Sequence, residues 1–335
     1  MTQEAAAEPG SITLHGQTVT FVLPAWALEQ MLPPLDVPAR PRKAAAYGKT
    51  WAKMWSSPVS WEMDGLDKSK LAAVVARREP PERIDPDLEA YLVAATYLRS
   101  ESKKQSFETM AMGLADWTQR SDAATATKIG IRGIRVAGMM SAMGHGIMLA
   151  LREHVRAHGA QALRPTIELE LERTDDGLRA LLLDDSEAAA RVVEATPSPE
   201  WPIIGVLAAP NQVCTALEAG RQWAVGRHDP GDLIRAIRRH GLAVADVMLA
   251  HAQAVFEQPG HRDSERAPWL PLLAFYPSER AARLAFSMMG SKSAQKTVLQ
   301  VFGEMKPQAL SVLTELSQAK GKQGKLAQTA LEALG

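Results

Sequence analysis

From Ser278 to its end the chain is cut by Gly and Pro into four short segments of helical character, Ser278 to Met289, Lys292 to Glu304, Pro307 to Ala319 and Gly324 to Leu334. The first and third begin about thirty residues apart, as do the second and fourth. Ala282, Ala285, Phe286 and Met289 make an apolar stripe in the first, and Leu310, Leu313 and Leu316 make one in the third, opposite polar faces. Ser278 with Glu279 in the first turn, and Pro307 at a first helical position, fit the expected helix starts. A three-turn helix is marginal alone, and one pair of such helices cannot bury all its apolar surface. Units of this period therefore stabilise one another by stacking. The pattern predicts a HEAT-like α-solenoid. Asp232 to Phe256 has the same helix, glycine, helix form and is expected to be an earlier repeat, with WLPLLAFYP linking it to the next pair.

The rest of the chain is less regular. Ser11 to Leu23 alternates apolar and polar residues on both sides of His15-Gly16-Gln17, which predicts a small β-hairpin. The following LPAWALEQMLPPLDVPARPRK holds five prolines, so it is expected to be an extended arm with one helical turn at most. Helices are expected from Ala44 to about Gly159. Trp51, Trp55 and Trp61 mark the first stretch, while Leu88, Tyr91, Leu92, Ala95 and Leu98 form a face of a helix starting after Pro86. Met110, Leu114 and Trp117 extend a third helix. Gly130, Gly133, Gly138, Gly144 and Gly146 then cost too much for one uninterrupted helix, so either the helix breaks near Gly144 or the glycines admit close neighbours. In Thr166 to Asp184, Ile167, Leu169 and Leu171 alternate with carboxylates before a Thr-Asp-Asp-Gly turn, which predicts a second hairpin. A helix through Leu178 to Leu183 is the rival. TPSPEWP, from Thr196 to Pro202, reads as a boundary.

The expected protein is thus mainly α, with a HEAT-like C-terminal region, irregular N-terminal helices and one or two small β-hairpins. Its parts are a hairpin and Pro-rich arm over 1–43, helices over 44–165, a hairpin and linker over 166–200, and repeats over 201–335. The dominance of Ala and Leu, with only 5% aromatic residues, agrees with helix.

Thirty-eight basic residues balance 38 acidic ones, so no global field steers a polyanion. The single Cys214 rules out a disulfide framework within the chain. The acidic N-terminus lacks the basic and apolar regions of a secretion signal, and a cytoplasmic protein is expected. Val136 to Leu151 is about a turn short of a membrane span and contains His145, so it reads as a buried helix.

No motif points to chemistry. His154 and His158 have the i, i+4 spacing of two zinc ligands, but Val155 stands where a metalloprotease needs glutamate and no third ligand is evident. His240 and His251 are too dispersed to add to that pair. Cys214 has no adjacent histidine. GIRGIRVAG lacks the ending of a phosphate loop and the strand that precedes a dinucleotide site, so helix packing is its expected use. Turn chemistry explains Asp175, Asp176, Asp184 and Asp185 without a cation. An enzyme centred on Ile129 to His158 would need an acid, base and nucleophile set that does not appear. Neither catalytic residues nor a cofactor or metal is expected. Lys292, Lys296, Lys320, Lys322 and Lys325, with Lys306, are the one basic set that the repeat would bring together, since Lys292 and Lys322 fall at equivalent ends of successive repeats. Glu304, Glu315 and Glu332 interleave with them in sequence, and a mixed solvated edge is the plainer reading.

The run from LPLLAFYPSERAARLAFSMMGSKSAQKT to AKGKQGKLAQTALEAL resembles the repeat arrays of large bacterial molybdate-metabolism-regulator-like proteins. The likeness lies in the small-residue helix, the GSKSA turn, the helix ending before Pro307 and the AKGKQGKLA linker. It covers about the last seventy residues, and LPAWALEQMLPPL more loosely. The resemblance implies helical repeats in a bacterial protein and carries over no catalytic residues. Those relatives are far longer, so the array is expected to be a truncated paralogue or one half of an assembly. The functional expectation is a non-catalytic scaffold with a protein partner or self-association. The alternative is a nucleic-acid-binding or regulatory protein using the lysine rim.

Overall fold

A computed structural model describes residues 7–31, 33, 35–36, 39, 67–75, 82–100, 103–137, 142–171, 175–196, 202–220, 230–257 and 263–335. Trp51, Trp55, Trp61 and most of the Pro-rich arm lie outside the described residues. The described chain is mainly helical, with one two-stranded sheet. It divides into two compact units, one of Met1–Leu32, Val192–Pro199 and Ile204–Gly335, the other of Pro33–Arg191 and Glu200–Ile203. The N-terminal hairpin therefore shares a unit with the C-terminal helices.

The first unit opens with β1 (Gly10–Leu14) and β2 (Gln17–Phe21), paired antiparallel with Leu14 opposite Gln17. His15 and Gly16 both have positive φ, 50° and 78°, as a two-residue hairpin turn requires to match the twist of its strands. Val19 and Phe21 are buried, while Thr18 lies on the open face. The other edge of β2 is covered by backbone, since the amides of Thr20 and Val22 donate to the carbonyls of Pro277 (3.3 Å) and Phe275 (3.0 Å). The arm contributes one helical turn, α1 (Ala27–Gln30).

In the other unit the elements are α2 (Lys68–Val75), α3 (Pro86–Arg99), α4 (Lys103–Arg120), α5 (Ala123–Ala137), α6 (Ala142–His158), α7 (Ala160–Glu170) and α8 (Asp176–Leu183). The boundary helix α9 (Ser186–Ala195) follows. Pro86 begins α3 as the sequence predicts, and the Asp85 carboxylate caps it by accepting the amide of Asp87 at 3.0 Å. Helix α4 packs on α6, α3 on α5, and α5 on α7. Leu92, Met110, Leu114, Trp117, Ile129 and Leu151 fill the space between them. The buried Trp117 indole donates to Glu89, whose carboxylate is itself buried, at 3.1 Å.

The glycines of GIRGIRVAG sit where α5 approaches its neighbours. A Cβ on Gly130 would lie 2.7 Å from a Leu151 methyl, and one on Gly133 would lie 2.3 Å from the Val93 Cβ. Close packing is the use of these two glycines, one of the two readings the sequence left open, while Gly138 lies outside the described residues.

The second hairpin does not form. Thr166 to Glu170 end helix α7 and Asp176–Leu183 form α8, the rival reading for Leu178 to Leu183, while residues 172–174 lie outside the described residues. Ile167 and Leu171 are buried four residues apart with Leu163 beneath them, whereas Leu169, the middle member of the supposed strand face, is 83% exposed. Helical spacing of 163, 167, 170 and 171 outweighed the alternation because Glu170 also faces inward, where Arg132 (2.8 Å) and Lys128 (3.3 Å) hold it. Of the carboxylates that looked like a strand's wet face, Glu170 became part of the packing between helices, while Glu168 stays exposed and pairs with Arg164 on its own helix.

Returning to the first unit, a 3₁₀ turn at Ile204–Val206 precedes α10 (Pro210–Gly220) and α11 (Pro230–His240). A second 3₁₀ turn at Gly241–Val244 leads into α12 (Ala245–Glu257), and α13 (Asp263–Arg266) follows. Then come a 3₁₀ helix at Ala267–Phe275 and helices α14 (Glu279–Ser287), α15 (Gln295–Glu304), α16 (Lys306–Ser317) and α17 (Lys322–Leu334). Ser278 caps α14 as expected, its hydroxyl accepting the amide of Ala281 at 3.2 Å. WLPLLAFYP is not a linker: Trp269, Leu270, Leu272, Leu273 and Phe275 are buried in the 3₁₀ helix, where the missing amide of Pro271 is tolerated. Alternate elements touch in chain order. One series is α10, α12, α14 and α16, and the other is α11, the Ala267–Phe275 helix, α15 and α17.

Two buried ionic groups anchor these units. Asp232, on α11, accepts the amides of Ile204 (2.7 Å) and Gly205 (2.9 Å). Arg152, on α6, is 1% exposed and donates to the carbonyls of Leu181 and Pro33 and to the Asp184 carboxylate.

Candidate functional site

The lysines were singled out by their spacing, and the fold gathers five of them. Lys292 lies in the turn before α15 and Lys296 in its first turn; Lys320 precedes α17, with Lys322 and Lys325 in its first turn. Helices α15 and α17 pack together. The starts of the two are neighbours, because the Lys322 Nζ lies 3.9 Å from where a Cβ on Gly290 would be. All five lysines are exposed, and none of them forms an ion pair among the described residues. Neither helix has an acidic residue in its first turn. Each helix N-terminus adds the equivalent of roughly half a positive charge to the same edge. Lys306 begins α16 at the far end of α15 and stands apart from the cluster.

Two of the acidic residues that interleave with these lysines in sequence lie at the opposite ends of the same helices. Glu304 ends α15 and Glu332 lies in the last turn of α17, about 10–15 Å along each helix from the lysines of its first turn. Glu315 is held by Arg283 at 2.5 Å. Helices α15 and α17 thus carry lysines at their starts and these carboxylates at their ends, while Glu315 lies in the last turn of α16, five residues before Lys320. Sequence separation concealed this, since a residue ten positions away along a helix is at the opposite end of it.

His154 and His158 share a face of α6 with ring centroids 4.6 Å apart. The His154 Nε2–H donates to the carbonyl of Ala123 at 3.2 Å, which occupies one of its two nitrogens. Burial pushes the His154 imidazole down to about 4, with His158 adding to the effect, and burial lowers His158 as well. Among the described residues no group of three or more His, Cys, Asp or Glu could hold a metal ion.

The depressed His154 value has a consequence for stability. Folded His154 stays neutral while the unfolded residue takes up a proton near pH 6.5. Its contribution is therefore complete above about pH 6.5 and declines as the pH falls to about 4, for a loss of at most about 3 kcal/mol. Urea unfolding of the protein and of a His154→Gln variant, compared between about pH 7.5 and about pH 4, is expected to show a steeper acid loss for the wild type. Parallel curves would contradict a buried neutral imidazole.

The remaining candidates are absorbed by the fold. Cys214 is half-buried on α10, and burial together with Glu218 and Asp246 raises its thiol, so the thiolate is disfavoured. Asp175 pairs with Arg135, Asp176 with Arg191 (2.8 Å) and Asp184 with Arg152 (2.9 Å), while Asp185 caps α9 by accepting the amide of Glu187 at 3.0 Å. His145 is buried on α6 and His251 on α12, where the His251 ring stacks at 4.9 Å against Trp269. His240 reaches the carbonyl of Leu207 at 3.1 Å. No helix among the described residues is long and apolar enough to cross a membrane.

A second feature, invisible to spacing arguments, is a cavity of about 550 Å³ in the first unit between the hairpin and helices α12 and α14. Its lining comes from three distant stretches of chain, and no local pattern marks it. No protein-family model matches the chain, and neither the curated proteins nor the solved structures yield a match.

Proposed function

We propose that this chain is a non-catalytic helical-repeat scaffold whose C-terminal elements form a short HEAT-like solenoid that binds a protein partner. The observation that carries the reading is the succession of contacts between alternate elements, α10 to α12 to α14 to α16 on one side and α11 to α17 on the other. Such stacking leaves two long lateral surfaces, and repeat proteins of this kind bind through shape complementarity. The ion pairs that hold Asp175, Asp176 and Asp184 suit a framework role for these carboxylates.

A second reading has its own observation. The five-lysine edge is exposed, unpaired and separated from the carboxylates of its helices, which suits a polyanion and favours nucleic acid. One experiment distinguishes the two. The full chain is immobilised, challenged with lysate with and without nuclease, and each retained species is rebuilt from purified components. A protein bound at one-to-one stoichiometry after nuclease supports the scaffold. Recovery that vanishes with nuclease overturns it in favour of nucleic acid. Affinity for a duplex should then fall with salt with a log–log slope of about −4 to −5, and charge reversal of the five lysines should abolish it.

A further inference from the structure

The cavity beneath the hairpin has the anatomy of a small-molecule site. Its volume of about 550 Å³ falls within the range of roughly 300–1,000 Å³ typical of ligand pockets. Leu14 and Val19 line it from the hairpin, Leu249 and Phe256 from α12 and Leu284 from α14. The hairpin turn is tied down over it, since the His15 imidazole donates to Asp246, in the first turn of α12, at 3.0 Å.

Charged groups at the mouth are not equivalent. Gln253 accepts from Arg280 through Nη2 (2.6 Å) and Nε (3.2 Å), and its own amide donates to both Glu257 oxygens at 2.9 Å. Glu257 keeps its negative charge, since the Gln253 amide is neutral, but it is exposed to water, which screens it. Arg283 is paired with Glu315. Arg280 differs: its hydrogen bonds go to a neutral amide, and its ion pair with Asp246 is long, 3.9 Å from Nη1, while the same Asp246 oxygen lies 3.0 Å from His15. One edge of a half-buried guanidinium, held in orientation by Gln253, thereby retains donor capacity at an apolar cavity. Planar guanidinium matches a carboxylate with two parallel hydrogen bonds.

We propose that this cavity binds a small amphipathic carboxylate, with its hydrocarbon body against Leu14, Val19, Leu249, Phe256 and Leu284 and its carboxylate on the open edge of Arg280. This goes beyond the scaffold reading and stands without it, because it concerns a small ligand in a cavity lined by none of the edge lysines. An ammonium ligand is disfavoured by Arg280, and a neutral alcohol leaves the guanidinium unmatched.

Calorimetric titration of the full chain with sodium decanoate, decylammonium chloride and decanol, each below its aggregation threshold, tests the proposal. Decanoate is expected to bind saturably at one site and more tightly than the other two. Arg280→Gln should weaken decanoate at least tenfold, about 1.4 kcal/mol, with little change for decanol. Ser287→Trp, at an exposed position on the rim, should block all three by filling the cavity while leaving the circular dichroism spectrum unchanged. Lys322→Glu serves as a control and should leave decanoate binding as it was. Absence of saturable decanoate binding, equal or tighter binding of decylammonium, or unchanged decanoate affinity in folded Arg280→Gln would each overturn it.

Discussion

Asp232→Ala is expected to destabilise the first unit by about 3–5 kcal/mol, the range for removing one member of a buried, hydrogen-bonded charged set. Asp232 is 1% exposed, and its two carboxylate oxygens separately accept the amides of Ile204 and Gly205. Both amides lie in a buried 3₁₀ turn, and water cannot replace the lost acceptor without opening the turn. Gly205 lets the turn come this close, since a Cβ there would be 2.7 Å from the Asp232 carbonyl oxygen. Arg239 and His240, about two turns further along α11, complete the attachment by bonding the carbonyls of Val206 (3.2 Å) and Leu207 (3.1 Å). Asp232→Asn keeps one acceptor and should lose about half as much. The measurement is hydrogen exchange followed by mass spectrometry, with the largest loss of protection in peptides spanning 202–207 and 230–240. A loss below about 1 kcal/mol, or one spread evenly over the chain, would show that Asp232 does not pin the turn.

Arg152→Leu should cost the other unit a similar amount, about 3–5 kcal/mol. The guanidinium takes the carbonyl of Leu181, in the last turn of α8, and the carboxylate of Asp184, which ends that helix in a left-handed conformation with φ 53°. It thus serves as the positive charge at the negative end of α8, and it also holds the carbonyl of Pro33 at 2.9 Å. Lysine is not a substitute, because a single ammonium cannot reproduce the fork. Asp184 has a further duty in accepting the Leu35 amide at 2.9 Å, so removing it entirely would confuse the test. The informative partner is Asp184→Asn, which keeps an oxygen for Leu35 and removes the charge that Arg152→Leu leaves unmatched. The double variant should recover at least 1 kcal/mol relative to the sum of the single ones, roughly the coupling of a buried pair. Additive losses in urea unfolding would mean that the two side chains are not energetically joined.

Both anchors join residues far apart in the chain, Asp232 to 204–205 and Arg152 to 33 and 181–184. No spacing rule reaches such pairs. The four C-terminal helices were legible within a few residues at each end because their own composition encodes them: an apolar stripe, a cap at Ser278, prolines and glycines between. The first hairpin was legible for the same reason, with alternation on both sides of a turn that glycine could complete. Residues 166–184 misled because three alternating apolar residues are too few to tell a strand from a helix. The decision lay with Glu170, which only the neighbouring Arg132 and Lys128 could make an inward-facing residue. The lysine edge was half legible: equivalent repeat positions predicted that Lys292 and Lys322 would meet, but the separation of Glu304 and Glu332 from them depended on where each helix began. The cavity with Arg280 was not legible at all.

By itself, then, the sequence determined what is local: a mainly helical chain, one hairpin with His15 and Gly16 at its turn, and the starts and ends of the C-terminal helices. These depend on backbone preference and side-chain periodicity within one or two turns, which neighbours in sequence supply. Tertiary structure decided which polar groups face inward, which charges find partners and which are left at an edge. Those outcomes depend on side chains brought together from distant stretches, where burial makes an unmatched charge costly and packing selects the pairings that avoid it.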